Sequence, residues 1–247
     1  MIAIRTIDLE KKYKEKVALN KLNLSIKEGE LFSLLGTNGA GKTTTIKMLS
    51  CLCSPTSGDA ILLGDSIVKN PFAVKEKIAV SPQETAVAPN LTVKENLQLI
   101  SEVYGNNKKD AIRKADEIIE SFGLAEIAKS KAKTLSGGWQ RRLSIAMSLI
   151  SNPKILFLDE PTLGLDVIAR RELWTMVKEL KGKITIILTT HYLEEAEALS
   201  DRIGIMTKGK LKAVGTAREL MECANAQNFE DAFIALSTDG GVSIWKH

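Results

Sequence analysis

Histidine and cysteine are scarce in this sequence, with two of the first and three of the second among 247 residues. Cys51, Cys53 and Cys223 are odd in number and have no framework spacing, which argues against a disulfide scaffold. A zinc site on Cys51-x-Cys53 lacks ligands, since the only histidines are His191 and the final residue, His247. The cysteines are therefore expected to be small buried thiols in a helix, in a reducing compartment. No stretch approaches the ~18 apolar residues of a membrane span. The start, MIAIRTIDLE, lacks the basic residues and apolar core of a secretory signal, so the chain is expected to stay in the cytosol. Internal repeats and low-complexity tracts are absent as well. The net charge of +4 is a mild excess. It suits an anionic membrane surface or an acidic partner and is too small to imply nucleic acid.

What is present is typical of a globular protein, with 44% hydrophobic and 26% charged residues. The length suits one domain, or one domain with a subdomain, around a full core. IAIRTIDL and LNLSI alternate apolar and polar residues as strands do, and the KEGE turn leads into the apolar run LFSLLG. GKTTTIKMLSCLC has helical spacing, SPTSG breaks the chain, and DAILLG and IAV return to strand patterns. From Thr92 to Ile150 the helical signal dominates. Thr92 and Glu95 form a capping box there, and Ile112, Ala115, Ile118, Ile119 and Phe122 share a helical face. Lys129, Lys131 and Lys133 read as a solvated charge run.

Strand and helix alternate again from Lys154, through KILFLDE, a helix from Asp166, KITIILTTH, LEEAEAL, RIGIMTKG and KLKAVG. Thr216 and Glu219 cap a further helix, and NFEDAFIALSTDGGVSIWKH reads as a short helix with a loose end. Apolar strands alternating with helices predict an α/β fold with a mainly parallel sheet covered on both faces. An N-terminal antiparallel β part and an inserted α-helical subdomain are expected additions. The expected division is a core of residues 1–88 and 151–215, a helical subdomain at 89–150 and a helical tail at 216–247.

Two constellations carry chemistry. Gly36-Thr-Asn-Gly-Ala-Gly41-Lys42-Thr43 fits G-x-x-x-x-G-K-[ST] at every fixed position, between an apolar strand and a helical pattern. Glycines let backbone N–H groups turn around phosphate, Lys42 answers the β- and γ-phosphates, and Thr43 offers a hydroxyl to Mg²⁺. Gly36, Asn38, Gly39, Ala40, Gly41, Lys42, Thr43 and Thr44 are the expected contacts of this loop. The second constellation is KILFLDE, which places Asp159 and Glu160 at the C-terminal end of a buried strand, where open α/β sheets bind ligands. Asp159 is the expected Mg²⁺ ligand, through water, and Glu160 is placed to polarise an attacking water. The guanine-reading run N-K-x-D is missing, so ATP is preferred over its guanosine analogue.

The segment LSGGWQRR, followed by the LDEP strand, resembles the signature of ATP-binding cassette (ABC) ATPases, and the resemblance covers almost the whole chain in order. Gln83 in SPQ resembles the family's Mg²⁺-sensing glutamine, which also contacts the membrane partner. Asp166 in Gly164-Leu165-Asp166 resembles the loop crossing between protomers, and His191 resembles the switch histidine at the γ-phosphate. Tyr13, 23 positions before Gly36, lies about where the family stacks an aromatic ring on adenine. Packing within its strand is the alternative for Tyr13. The resemblance implies a head-to-tail dimer in which Ser136, Gly137 and Gly138 of one chain cover the γ-phosphate held by the other. Trp139 replaces the usual glutamine and Thr37 a frequent proline, departures expected to alter rates rather than abolish activity.

The resemblance implies an ATPase subunit that works, as a homodimer or with a paralogue, on membrane-spanning permease subunits at the inner face of the cell membrane. HYLEEAEALSDRIGIMTKGKL and FEDAFIALS look most like the export-type branch of drug, antibiotic, sodium and polysaccharide exporters. The alternative is a soluble cassette ATPase acting on nucleic acid or ribosomes. Such relatives usually carry two cassettes or a long coiled coil, and neither is present here. A non-hydrolysing binding module is disfavoured by Glu160 and His191 together.

Overall fold

The computed structural model describes residues 1–238. The chain runs through β1 (Ile2–Tyr13), β2 (Lys16–Lys27), β3 (Leu31–Leu35), α1 (Lys42–Leu49), β4 (Ser57–Leu62) and β5 (Asp65–Ser66). Next come α2 (Pro71–Lys75), β6 (Ile78–Ser81), α3 (Val93–Val103), α4 (Lys108–Ser121) and α5 (Gly137–Leu149). Then follow β7 (Ile155–Asp159), α6 (Val167–Leu180), β8 (Thr185–Thr190), α7 (Leu193–Leu199) and β9 (Arg202–Thr207). It closes with β10 (Lys210–Gly215), α8 (Ala217–Ala224) and α9 (Phe229–Ser237). The loose end expected after α9 falls on residues from 239 onward, outside the described ones.

Two sheets form. The first, ordered β2-β1-β4-β5, is antiparallel throughout. The second is ordered β10-β9-β3-β8-β7-β6 and is parallel except for the β9–β10 hairpin. Strands β3, β7 and β8 are buried along their whole length, which explains their uninterrupted apolar runs. Because side chains alternate across a strand, Ile155 and Phe157 point one way and Leu156 and Leu158 the other. The first pair joins the core beneath the antiparallel sheet, with Ile46, Met48 and Leu49 of α1. The second pair meets Ile145, Leu173, Trp174 and Leu199, from α5, α6 and α7.

Helices α3, α4 and α5 share their own cluster, centred on Val93, Leu97, Ala115, Leu124 and Leu143. Thr92 caps α3 as expected: its hydroxyl accepts from Glu95 N–H at 3.2 Å and Glu95 Oε2 accepts from Thr92 N–H at 2.7 Å. The same box forms between Thr216 and Glu219 at α8. Two expectations fail locally. Helix α1 stops at Leu49, because Cys51 turns left-handed at φ 56°, so Cys51 and Cys53 lie beyond the helix and are only half-buried. Ile112 is exposed on α4, whose buried stripe is Ala111, Ala115 and Ile119.

Thr92→Ala is expected to lower the unfolding free energy by about 1 kcal/mol, read from the urea midpoint. Thr92→Ser should stay near the parent. Equal midpoints for parent and alanine variant would show that the cap contributes nothing.

Candidate nucleotide site

Neighbouring strands β3, β8, β7 and β6 run parallel, so their C-terminal ends share one edge of the sheet. Each end feeds a loop singled out in the sequence: Gly36–Gly41 after β3, Pro82–Gln83 after β6, Asp159–Glu160 after β7 and Thr190–His191 after β8. The glycines of the first loop answer different needs. A Cβ at Gly36 would sit 2.3 Å from the Met206 carbonyl oxygen, and Gly41 opens α1 at φ 104° with a Cβ direction blocked by Ala18 O at 2.7 Å. The backbone can therefore curl close to a ligand only without side chains.

Lys42 is only 4% exposed. Its Nζ donates to the carbonyls of Gly36 at 2.7 Å and Thr37 at 3.3 Å, and it pairs with Glu160 Oε1 at 3.2 Å. The other Glu160 oxygen lies 3.0 Å from His191 Nδ1, so one carboxylate links the lysine and the histidine. Glu160 itself adopts φ 45°, a left-handed conformation costly for a residue with a Cβ. Its N–H donates to the carbonyl and hydroxyl oxygens of Thr189, at 3.1 and 3.0 Å. Beneath it, Asp159 Oδ1 accepts from Thr43 Oγ1 at 3.1 Å and from Thr189 Oγ1 at 2.5 Å.

These groups border a cavity of about 530 Å³, a size suited to a nucleotide. Tyr13, Asn38, Gly39, Ala40, Gly41, Lys42, Thr43, Thr44, Gln83, Glu160 and His191 all line it. Tyr13 stands at its mouth, 47% exposed, with Lys11 Nζ 5.1 Å from the ring centroid. The ring is thus not packed away inside its strand. Gly36 and Asp159 sit just below, in contact through Lys42 and Thr43. Oxygen donors from a hydroxyl, a carboxylate and the amide of Gln83 fit a small hard cation such as Mg²⁺. Among the described residues no group of three His, Cys, Asp or Glu side chains converges on a metal position, so the remaining ligands for such an ion would be phosphate and water.

Ser136, Gly137, Gly138 and Asp166 are absent from this cavity's lining. Ser136 caps α5, its Oγ 3.5 Å from Trp139 N. Gly138 permits close packing, since a Cβ there would come 2.8 Å from Ala169 Cβ. Gly137, by contrast, is exposed and faces open space beyond a Leu165 methyl at 3.9 Å. Asp166 caps α6, accepting from Ile168 and Ala169 N–H groups at 2.9 Å each. Trp139 packs on the helical cluster under the Arg142 guanidinium, 4.6 Å from the ring.

Three buried polar residues behind the site escaped sequence reasoning. Thr189 is one, signalled only as a hydroxyl ending an apolar strand. Arg141 is another: it is 3% exposed, and burial lowers its pKa to about 10 against the pull of Asp159 and Glu195. The third is Glu195, fully buried, its Oε1 accepting from Trp174 Nε1 at 3.0 Å. Burial pushes the Glu195 carboxyl above its ordinary value. In the unfolded chain it ionises above about pH 4.3, so stability is full below that pH and declines as pH rises towards the folded value. Glu195→Gln removes this decline while keeping an acceptor for Trp174. The melting temperature of the variant relative to the parent is expected to rise as the pH is raised above about 4. A difference that stays constant with pH would contradict a raised Glu195 pKa.

A phosphate-cradling loop entering a helix, with an acid pair at the end of the next strand but one, defines a P-loop nucleotide hydrolase. The sequence model of the ABC transporter family matches residues 19–163, and the chain belongs to that family. It is 41% identical to the linearmycin resistance ATP-binding protein LnrL of Bacillus subtilis (strain 168), over 94% of this chain and 74% of that protein. It is 42% identical to the daunorubicin resistance ATP-binding protein DrrA3 of Streptomyces coeruleorubidus, over 88% of this chain and 69% of that one. Its fold also matches a dimeric post-hydrolysis state of the ATP-binding cassette MJ0796 bound to ADP and Pi. The TM-score there is 0.77, with 28% identity over 86% of this chain and 98% of the other. The chain is thus an ATP-binding, ATP-hydrolysing subunit that powers transport through a membrane permease. No described helix is long and apolar enough to cross a membrane.

Proposed function

We propose that ATP seats its phosphates on Gly36–Thr44 and its adenine against Tyr13, with Mg²⁺ held by Thr43, Gln83 and, through water, Asp159. When bound, the ion neutralises charge developing on the transferred phosphoryl group. Glu160 takes the proton of the attacking water, and His191 holds that carboxylate from behind and faces the γ-phosphate. The observation that carries this reading is the Lys42–Glu160–His191 chain, with spacings of 3.2 and 3.0 Å, lining one cavity with the phosphate loop. A γ-phosphate arriving at Lys42 competes for that ammonium and frees one Glu160 oxygen to meet water.

Residues 1–88 and 151–215 serve as the nucleotide core, 89–150 present the signature, and 216–247 form the tail. Ser136–Gly138 act on the nucleotide of a second cassette, and Asp166 lies where the two chains cross. The dimer docks on permease subunits at the inner face of the cell membrane. Export of a drug- or antibiotic-like compound is the favoured direction, because relatives are named for linearmycin and daunorubicin resistance.

Glu160→Gln should retain ATP binding and lose about 10²–10⁴-fold in hydrolysis, the usual contribution of a positioned base. With ATP and Mg²⁺ the trapped nucleotide should hold two chains together in light scattering. A monomer at high protein concentration would sink the dimer reading.

Mixed dimers test the signature. Lys42→Ala disables the phosphate loop, and Gly137→Asp sets a carboxylate where the γ-phosphate approaches. With one lesion in each chain, action in trans concentrates both in one site and leaves the other whole. With both lesions in one chain paired with an unaltered one, action in trans breaks both sites. Nucleotide occlusion is therefore expected from the split pair only. Occlusion by the other pair alone would assign the signature to its own chain's site.

A further inference from the structure

Arg141 lies one helical turn inside α5, which begins at the signature. Its guanidinium points inward and makes four hydrogen bonds, all to backbone carbonyls. Nε donates to Pro161 O at 2.9 Å and Nη2 to Asp159 O at 3.0 Å. Nη1 donates to Pro82 O and, at 3.4 Å, to Gln83 O. Asp159 and Pro161 flank Glu160 on either side, and Pro82 and Gln83 form the loop after β6. One planar fork thus joins the signature helix to both loops that bring Gln83 and Glu160 to the cavity.

The chemistry makes this link stiff. Carbonyl acceptors are fixed to the main chain, and the guanidinium holds its donors in one plane. A charge that is 3% exposed cannot exchange a lost acceptor for water without opening the packing around it. A shift of α5 must therefore carry the two loops with it, or strip carbonyls from a buried cation. The face of α5 that carries Ser136 and Gly137 is open to solvent, whereas Arg141 is on the inner side.

We propose that Arg141 is a positioning residue that reports the seating of a partner's nucleotide on Ser136–Gly138 to Gln83 and Glu160 of its own chain. This rests on the reading that the signature acts in trans. It adds that the two composite sites are coupled, and it names the side chain that couples them. ATP seated on one chain's signature sets the base in that chain's own site, so hydrolysis rises cooperatively with ATP.

Arg141→Lys keeps the cation and loses the fork. Steady-state hydrolysis by the complete chain is expected to show a Hill coefficient above one for the parent and about one for the variant, with kcat lowered by about ten- to a hundredfold. Equilibrium affinity of the single chain for a fluorescent ATP analogue should be unchanged, because Lys42 and the phosphate loop are untouched. A purely structural residue would lower the melting temperature and leave the Hill coefficient alone, and that result overturns the proposal. So does a parent enzyme without cooperativity. Should the variant not fold, amide exchange of the parent and of Gly137→Asp decides. ATP is expected to protect residues 82–84 and 159–162 in the parent and not in Gly137→Asp. Equal protection in both would overturn the link. Nucleotide occlusion by the pair with both lesions in one chain, and none by the split pair, would instead undo the trans reading beneath the proposal, which keeps the two failures apart.

Discussion

Lys42 holds its ammonium where water barely reaches, at 4% exposure, and a bare charge there needs compensation from every side. Two loop carbonyls and one Glu160 oxygen provide it. That demand explains much of the surroundings: the loop must bend back far enough to aim Gly36 O and Thr37 O inward, which the tight approach of Gly36 to Met206 makes possible. It also recruits Glu160 from the next strand but one, since β8 lies between β3 and β7. The loop carbonyls and Glu160 are thus both arranged around the Lys42 cation.

Glu160 is the other half of that arrangement. Its φ of 45° places the carboxylate over the cavity while Asp159, its neighbour, points down to Thr43 and Thr189. Consecutive residues in a regular strand also face opposite ways, but the left-handed turn ends the strand and re-aims the second acid. A conformation of this kind costs about 1–3 kcal/mol and persists only where the surroundings hold it. Here the holders are Thr189, which accepts the Glu160 N–H, and the lysine and histidine on its two oxygens.

The same economy appears at α5. Ser136 and Gly137 stand exposed at the helix start, while Gly138 and Arg141 face inward against Ala169 and the loop carbonyls. An exposed helix start with an open glycine presents the positive end of the helix dipole to solvent. One helix thus has an exposed outer start and an inner face fixed to the loops that carry Gln83 and Glu160.

The sequence by itself determined the phosphate loop, the acid pair and the capping boxes, because each depends on spacing within a few residues. A left-handed glycine, a lysine entering a helix, or a threonine answering a glutamate three positions later all act locally. It also determined that β3, β7 and β8 are buried, since an apolar run has no other place. Tertiary structure alone decided that Thr189 supports Asp159 and Glu160, that Trp174 meets Glu195, and that Arg141 ends on the carbonyls of Pro82, Gln83, Asp159 and Pro161. It also ended α1 early, leaving Cys51 and Cys53 outside the helix. Backbone carbonyls carry no residue signature, and an arginine bound only to them reads in sequence like any surface arginine. The physical reason is that such partners are chosen by which strands lie side by side, and strand order is a property of the folded sheet rather than of any short stretch of chain.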